Sequence, residues 1–501
     1  MPSDSGERLY SDKSEAAGEY PMQLEVLKDD ARTDVGSYFV ANYPPFSAWK
    51  REHVPAALEV LGRPAGGRSP TPLGLYIHIP FCRKRCKFCY FRVYTDKNAA
   101  DVDLYMDALA REVALYADRP RLAGRQFEFV YFGGGTPSFL SSRQLERLIE
   151  GINRHWRWDA AREVTFECEP GTLQKHKLET IRRIGVTRLS LGIEHFDDAL
   201  LEANGRAHKS AEIFRAYGWA RAIGFPQINV DLIAGMVGDE DAKWEEAVRK
   251  ALELQPDSLT IYQLELPYNT VFSQQVRHGG GLSVTDWPTK RRWVDYAFQV
   301  FEDAGYLVSS GYTLVKAQPG AAVPHTATGA QPGAAMPPAQ LEEAVAQTGC
   351  DSQRGAAGSH GSFVYRDSLW HGADMVGTGV ASFSHVGGVH FQNFDQWDDY
   401  IAACQRGELP LKRALPMTPR QRLIRELILQ LKLGRLDAGY FRAKFATEIR
   451  DEFVEAFDAL VVDGFAAFEG DAVRLTRAGL LRVDALLPRF FEPQYRNVRY
   501  T

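Results

Sequence analysis

For a chain of 501 residues, cysteine is scarce: there are six, Cys82, Cys86, Cys89, Cys168, Cys350 and Cys404. So few thiols exclude a secreted disulfide framework, and the crowding of half of them into one short stretch points to a metal or redox site in a reducing cytoplasm. No run of about 18 or more apolar residues occurs, which argues against a membrane span. The opening MPSDSGERLYSDKSEAAGEY has no apolar core, so no signal-peptide pattern is present. Nor is there an excess of basic charge. A net charge of -5 gives no reason to expect a general nucleic-acid binder. Coiled-coil heptads and apolar surface helices are also missing, so a monomer is expected.

What is present is ordinary for a globular protein, with 45% hydrophobic and 25% charged residues. The length suits one large catalytic domain and at least one smaller one. Residues 1–70 read as an N-terminal leader or arm, in which SYFVANYPPFSAW is aromatic enough to pack on another surface. From Leu75 onward, strand-like segments (LYIHI, FEFVYF, EVTFECEP, RLSLGIEHF, QINVDLIAG, SLTIYQLELP) alternate with stretches of helical periodicity such as DLYMDALAREVALYA and DAKWEEAVRKALELQ. Alternation of this kind implies βαβ units and a parallel sheet. The fold class is therefore α/β, and six units over residues 71–316 suit an open, partial (βα)6 barrel rather than a closed one of eight.

Residues 317–361 are of low complexity, AQPGAAVP at 317–324 returning as AQPGAAMP at 330–337. Such a composition predicts a disordered insertion, and Cys350 within it is given no role. Residues 362–413 resume the catalytic domain. Residues 414–501 turn helical, with TPRQRLIRELILQLKLG, EFVEAFDALVVDGF, a hairpin FAAFEGDAVRLT and a final helix RAGLLRVDALLPRFF. This part resembles a winged-helix module, and its mixed charges favour packing and interaction over DNA binding.

The chemistry is concentrated in YIHIPFCRKRCKFCYF, where Cys82, Cys86 and Cys89 follow a strand with C-x3-C-x2-C spacing. One loop can wrap three thiolates around a [4Fe–4S] cluster and leave one iron open for an exchangeable ligand. The alternative is a structural zinc with a distant fourth ligand such as His78 or Cys168. In parallel barrels functional groups gather at the carboxyl ends of strands. Here those ends carry GGGTP (133–137), then Glu167 and Glu169, Glu194, Asp231, and finally Tyr262 with Glu265. The glycines let backbone come close to a ligand and present unhindered N–H groups; a tight turn is the plainer reading. Successive acids around three cysteines suit a polar, cationic cofactor, and Arg206 could pair with a carboxylate.

LYIHIPFC with its two following cysteines, and then YFGGGTPS, resembles the radical S-adenosylmethionine (SAM) superfamily. More narrowly it resembles the branch of oxygen-independent coproporphyrinogen III oxidases and heme chaperones. The resemblance implies that Cys82, Cys86 and Cys89 hold a [4Fe–4S] cluster whose open iron is chelated by SAM, with Tyr76 beside it. It further implies a cofactor-binding set of Tyr76, Phe88, Gly134, Gly135, Thr136, Glu167, Glu194, Arg206 and Asp231. In that set Glu167 and Asp231 hold the nucleoside and Arg206 the SAM carboxylate. Glu194 departs from the oxidase pattern, which has Gln there. A second SAM is implied beside the first, lined by GTGVASFS (377–384), which otherwise reads as a glycine-rich strand and turn. An electron donor such as flavodoxin or ferredoxin is implied as well.

Within the branch, three functions compete. Coproporphyrinogen III oxidation, on a tetrapyrrole substrate, is supported by the arm SYFVANYPPF and by VHFQN (389–393). Against it, Phe91 stands where the oxidase carries a fourth cysteine, and IYQLELPYNT looks more like the chaperone. A heme chaperone would carry His-Asn-x-x-Tyr-Trp; the aligned YRDSLW keeps only Trp370, leaving His371 or His385 as candidate heme ligands. The third reading is a methyl or alkyl transferase using two SAM molecules. The expectation is a radical SAM oxidoreductase of the coproporphyrinogen-oxidase type.

Overall fold

The computed structural model describes residues 40, 42–66, 71–279, 281–317, 363–496 and 498. The expected disordered insertion, with Cys350, lies outside the described residues. All six expected strands form: β1 (Leu73–Ile79), β2 (Phe127–Gly134), β3 (Glu163–Cys168), β4 (Arg188–Glu194), β5 (Gln227–Ala234) and β6 (Ser258–Gln263). They pair in parallel and in chain order. Helices between them begin where sequence supplies caps. Asn98 accepts from the backbone of Ala100 and Asp101 to start Ala99–Ala117, and Ser141 with Gln144 forms a capping box for Ser142–Asn153.

The sheet is larger than its six-strand centre. After β6 come β7 (Tyr306–Val308) and β8 (Thr313–Lys316), β8 running antiparallel to β6. Residues after 363 return to the opposite side, where β9 (Asp374–Thr378) lies parallel to β1. Strands β10 (Phe383–Val386), β11 (Val389–Asn393) and β12 (Leu411–Pro416) follow antiparallel. The twelve strands form one sheet in the order β12-β11-β10-β9-β1-β2-β3-β4-β5-β6-β8-β7, which curves without closing. Its buried core runs along these strands and the helices packed on them, with Phe132, Phe166, Leu189, Val230 and Trp244 among its members.

A second core forms around the helix Pro419–Leu431, which is buried on nearly every side. Strands β13 (Arg435–Asp437), β14 (Ala466–Glu469) and β15 (Ala472–Leu475) make a small sheet in the order β13-β15-β14, matching the expected hairpin with one extra strand. The expected final helix is broken into Arg477–Leu480, Val483–Leu486 and the 3-10 turn Leu487–Phe490. The chain leaves helical backbone at Arg482 (φ -124°, ψ 19°), and Pro488 opens the 3-10 turn with no N–H to donate. The aromatic arm packs on this second core. Val40 and Tyr43 belong to it, Tyr43 OH donates to Glu492 Oε2 (3.1 Å), and buried Lys432 donates to Val40 O (2.9 Å).

Among the described residues, four that are not glycine adopt left-handed backbone: Glu194, Gln255, Ala381 and Ala446. Two of them cap helices, Gln255 after Asp241–Leu254 and Ala446 after Ala438–Phe445. The other two lie at the site described next. No described helix is long and apolar enough to cross a membrane.

Candidate active site

The loop after β1 is pinned at both ends. Cys82 N–H donates to Tyr94 O (3.0 Å), Tyr94 N–H to Pro80 O (2.8 Å), and Lys87 N–H to Asn204 O (3.0 Å). Its three thiols are free and half-buried. Burial pushes Cys82 up to about 11 and Cys89 up to about 12, the neighbouring Cys86 adding to both. Thiols of this kind become thiolates at neutral pH where a metal replaces the proton.

Among the described residues no three His, Cys, Asp or Glu side chains gather tightly enough to hold a single ion. The two candidate fourth ligands for zinc sit elsewhere. His78 lies against Tyr76 OH (3.5 Å) with its pKa lowered by burial to about 4, and Cys168 is buried with Sγ 3.9 Å from Phe166 O. A cubane cluster spreads its thiolates over separate irons, whereas zinc draws them to one point. Three thiols on one loop, with His78 and Cys168 engaged elsewhere, leave a fourth corner open, as a cubane cluster accepts and a structural zinc does not.

Arg206 ties this loop to the strand ends. Its Nη1 donates to Cys86 Sγ (3.3 Å) and lies 3.5 Å from Glu194 Oε1, while Nη2 donates to Gly192 O (2.6 Å). Its Nε is buried with no partner. A guanidinium with a spare buried donor beside a thiol is what a bound carboxylate would complete. Glu194 is held in left-handed backbone (φ 66°) at an irregularity in the β4–β5 register. Behind it His195 Nδ1 accepts from Asp197 N–H (3.0 Å), and His195 Nε2 lies 3.5 Å from buried Asp239. Strain of this kind persists where surrounding contacts over-determine it.

Three acids share the space within the strand ends. Burial pushes both Glu167 and Glu194 up to about 7; the Asp231 charge adds to the rise for each, while Arg206 opposes it for Glu194. Glu167 accepts from Tyr131 OH (2.7 Å), and Asp231 from Ser190 Oγ (2.9 Å) and Asn229 Nδ2 (2.7 Å). Glu169 points instead toward the cluster loop, accepting from Arg83 Nη2 (3.0 Å) and meeting His208 Nδ1 (3.0 Å). Burial alone would raise its pKa, but His208, Arg206 and Arg83 outweigh burial and hold it low.

GGGTP does something other than expected. Gly134 N–H donates to Glu167 Oε2 (3.2 Å), Gly135 N–H to Ile79 O (2.9 Å) and Thr136 N–H to Phe81 O (2.8 Å). These N–H groups are spent inside the protein and are not free for a ligand. The glycines are there for closeness: a Cβ on Gly134 (φ 114°) would lie 2.5 Å from the His78 ring, and one on Gly135 2.9 Å from Phe81 O. Thr136 Oγ1 meets Cys82 Sγ at 3.3 Å, so this turn braces the cluster loop from below.

Aromatic side chains wall the space. Tyr76 stacks on Tyr131 (5.8 Å), and Tyr131 meets Tyr365 at a tilt (4.2 Å), a residue from the helix Val364–Trp370 that the motifs did not single out. Tyr90 and Tyr262 keep 36% and 42% of their surface. Phe91, 46% exposed, stacks on Tyr90 (4.5 Å). Phe88 packs into a separate apolar cluster with Leu200, Met236 and Phe272.

Residues 377–384 form the end of β9, a turn and the start of β10. Buried Glu112 accepts from Gly379 N–H (2.7 Å), Tyr400 OH (2.7 Å) and Asn393 Nδ2 (2.5 Å). Asn393 Nδ2 also donates to Gly379 O (2.9 Å), and Gln392 Nε2 to Ala381 O (3.1 Å). The QN pair of VHFQN thus shapes this turn. Of the candidate heme ligands, His385 is buried ring against ring with His390 (4.7 Å), and His371 is exposed, with Nδ1 2.7 Å from Asp367 O.

Residues 76–251 match the family described as Radical SAM superfamily. The chain is 27% identical over 417 residues to the oxygen-independent coproporphyrinogen III oxidase of Escherichia coli, covering 82% of this chain and 84% of that protein. It is 35% identical over 207 residues to the heme chaperone HemW of Escherichia coli, covering 41% of this chain and only 53% of that protein. The solved structure of coproporphyrinogen III oxidase (HemN) from Escherichia coli, described as a radical SAM enzyme, superposes with a TM-score of 0.71 at 23% identity, over 90% of this chain and 96% of that one.

Proposed function

We propose that this chain, which carries a radical SAM superfamily domain over residues 76–251, oxidatively decarboxylates coproporphyrinogen III without oxygen. Held by Cys82, Cys86 and Cys89, a [4Fe–4S] cluster with SAM would supply a 5′-deoxyadenosyl radical that takes hydrogen from a propionate β-carbon, so that loss of carbon dioxide and one electron leaves a vinyl group. Everything else is the work of the chain. Arg206, with its spare buried Nε, would orient the SAM carboxylate. Glu167 and Asp231 would accept from ribose hydroxyls, and Tyr76 would stand over the cluster side of the cradle. Gly134, Gly135 and Thr136 would offer carbonyl acceptors and room rather than N–H donors. The stacked tyrosines would exclude water from a reactive intermediate.

The observation that carries this reading is Arg206, which bridges a cluster thiol and the strand-end acids with one donor unfilled. The oxidase is favoured over the chaperone because likeness to the oxidases runs across both cores, while likeness to the chaperone spans 41% of the chain. A second SAM would sit against residues 377–384. The reducing electron would come from a small carrier protein of the flavodoxin or ferredoxin kind. Anaerobic cluster reconstitution followed by SAM, dithionite and coproporphyrinogen III tests this. Protoporphyrinogen and 5′-deoxyadenosine are expected together. 5′-Deoxyadenosine without protoporphyrinogen would overturn the substrate, and neither product would overturn the chemistry.

A further inference from the structure

An unusual piece of backbone presents Glu194. The His195 N–H donates back to Ile193 O (2.8 Å), closing a three-residue turn with Glu194 at its centre and φ at 66°. A turn of this hand is strained for a residue with a side chain, and it sits where the β4–β5 register slips. Contacts from outside must hold it. The Ile193 carbonyl takes a second bond, from His208 Nε2 (3.1 Å), and His208 Nδ1 meets Glu169 Oε1 (3.0 Å). Glu169 in turn accepts from Nη2 of Arg83 (3.0 Å), the neighbour of Cys82 in the cluster loop. Just before His208, Arg206 donates to the adjoining carbonyl, Gly192 O (2.6 Å). His208 is 2% exposed, and Gly171 makes room for it: a Cβ there would lie 3.1 Å from His208 Cβ.

Both partners of the His208 ring are acceptors, so it needs a proton on each nitrogen to serve both. Burial and the Arg206 charge oppose that second proton, while Glu169 and the Ile193 carbonyl favour it. An apolar side chain of similar volume would fill the space without that conflict, so the ring is there for the bonds it makes. We infer that His208 is a positioning residue: by donating from Nε2 to Ile193 O it holds the strained turn, and so aims Glu194 and Arg206 at the place where SAM binds. This rests on the radical SAM reading above. Arg83, Glu169 and His208 then carry the pose of the cluster loop to the turn, so that cofactor affinity depends on a residue that touches neither cluster nor cofactor.

The test sets two neutral replacements against each other in the reconstituted full chain. Glutamine puts an amide N–H where Nε2 stands, and asparagine puts one where Nδ1 stands. Both remove the ring and its charge, so a difference between them reports the Ile193 contact. One readout is hydrogen exchange of the His195 amide, resolved by mass spectrometry with electron-transfer fragmentation; the other is SAM affinity in equilibrium dialysis. His208→Asn should speed exchange of that amide about tenfold or more and weaken SAM binding about tenfold. His208→Gln should stay within about threefold of wild type in both. If His208→Asn does not fold, Arg83→Gln replaces it; smaller changes in both readouts are then expected, and no change would overturn the inference. Equal loss of SAM affinity in the asparagine and glutamine variants would make His208 a packing residue and overturn it. So would unaltered SAM affinity in His208→Asn, whatever its exchange. Wild-type protein that binds no SAM would overturn the radical SAM reading instead, and the exchange difference between the two variants would still decide whether His208 holds the turn.

Discussion

Glu112 is fully buried and Glu194 half-buried, both carboxyls are pushed up to about 7, and they do opposite things. Glu112 accepts three hydrogen bonds from groups that hold the turn between β9 and β10. Glu194 sits in strained backbone and faces an arginine with an unfilled donor. A shifted pKa therefore does not separate scaffold from site here. The partners do: Glu112 closes on three neutral protein donors, even though Asn393 Oδ1 among them accepts nothing, whereas Glu194 opens onto a guanidinium that also contacts a thiol of the cysteine loop.

The largest effect should come from breaking the open cluster at its metal end. Cys86→Ala removes the thiol that Arg206 contacts and should abolish the brown iron–sulfur absorbance and reduce SAM cleavage to background. Breaking the closed cluster should cost stability instead: Tyr400→Phe removes one donor to Glu112 and should destabilise by about 1–3 kcal/mol in denaturant melts while leaving reconstituted cluster absorbance intact. Arg206→Lys keeps a charge but loses the planar fork, and should weaken SAM binding by about 10- to 100-fold in equilibrium dialysis. Glu194→Gln restores an amide and should change SAM affinity by less than about tenfold. If it abolishes binding, the carboxylate is essential and the departure from the oxidase pattern at this position serves binding.

The smallest effect concerns pH. Glu112 has a folded pKa of about 7, above its ordinary 4.5, so the folded state holds its proton more tightly than the unfolded one. The stability it contributes is full below about 4.5 and lost as pH rises through about 7. Thermal melts of the metal-free protein should fall between pH 5.5 and pH 8, and Glu112→Gln should flatten that slope.

The six central strands were legible because each reads as a short apolar run between helices of clear periodicity. Strands β7, β8, β11 and β12 were not read as strands, and residues 377–384 only as a glycine-rich strand and turn: β7 spans three residues, and β9 to β12 have meaning only through pairing with distant chain. The break in the last helix carries no signal either: the chain leaves helical backbone at Arg482 (φ -124°, ψ 19°), between Arg477–Leu480 and Val483–Leu486, which no periodicity records. At the site, the cysteines, Arg206 and the acids were visible as residue types at strand ends. The hydrogen bonds of the GGGTP turn were not, because N–H groups spent on Ile79 and Phe81 depend on the path of a loop from another strand. Tyr365 lies beyond the low-complexity stretch, and His195 with Asp239 is joined only by folding, so neither carried a signal.

The four left-handed residues divide along the same line, and they give an engineer a map. Gln255 and Ala446 only terminate helices, so glycine at either should add up to about 1 kcal/mol of heat resistance at no cost to chemistry. Glu194 and Ala381 sit beside the proposed cofactor positions, and a screen that rewards thermal tolerance alone would be drawn toward glycine there as well. Such a screen would enrich a sturdier protein that has lost its reason for the strain. Selection for turnover, run alongside, is what would keep those two positions as they are.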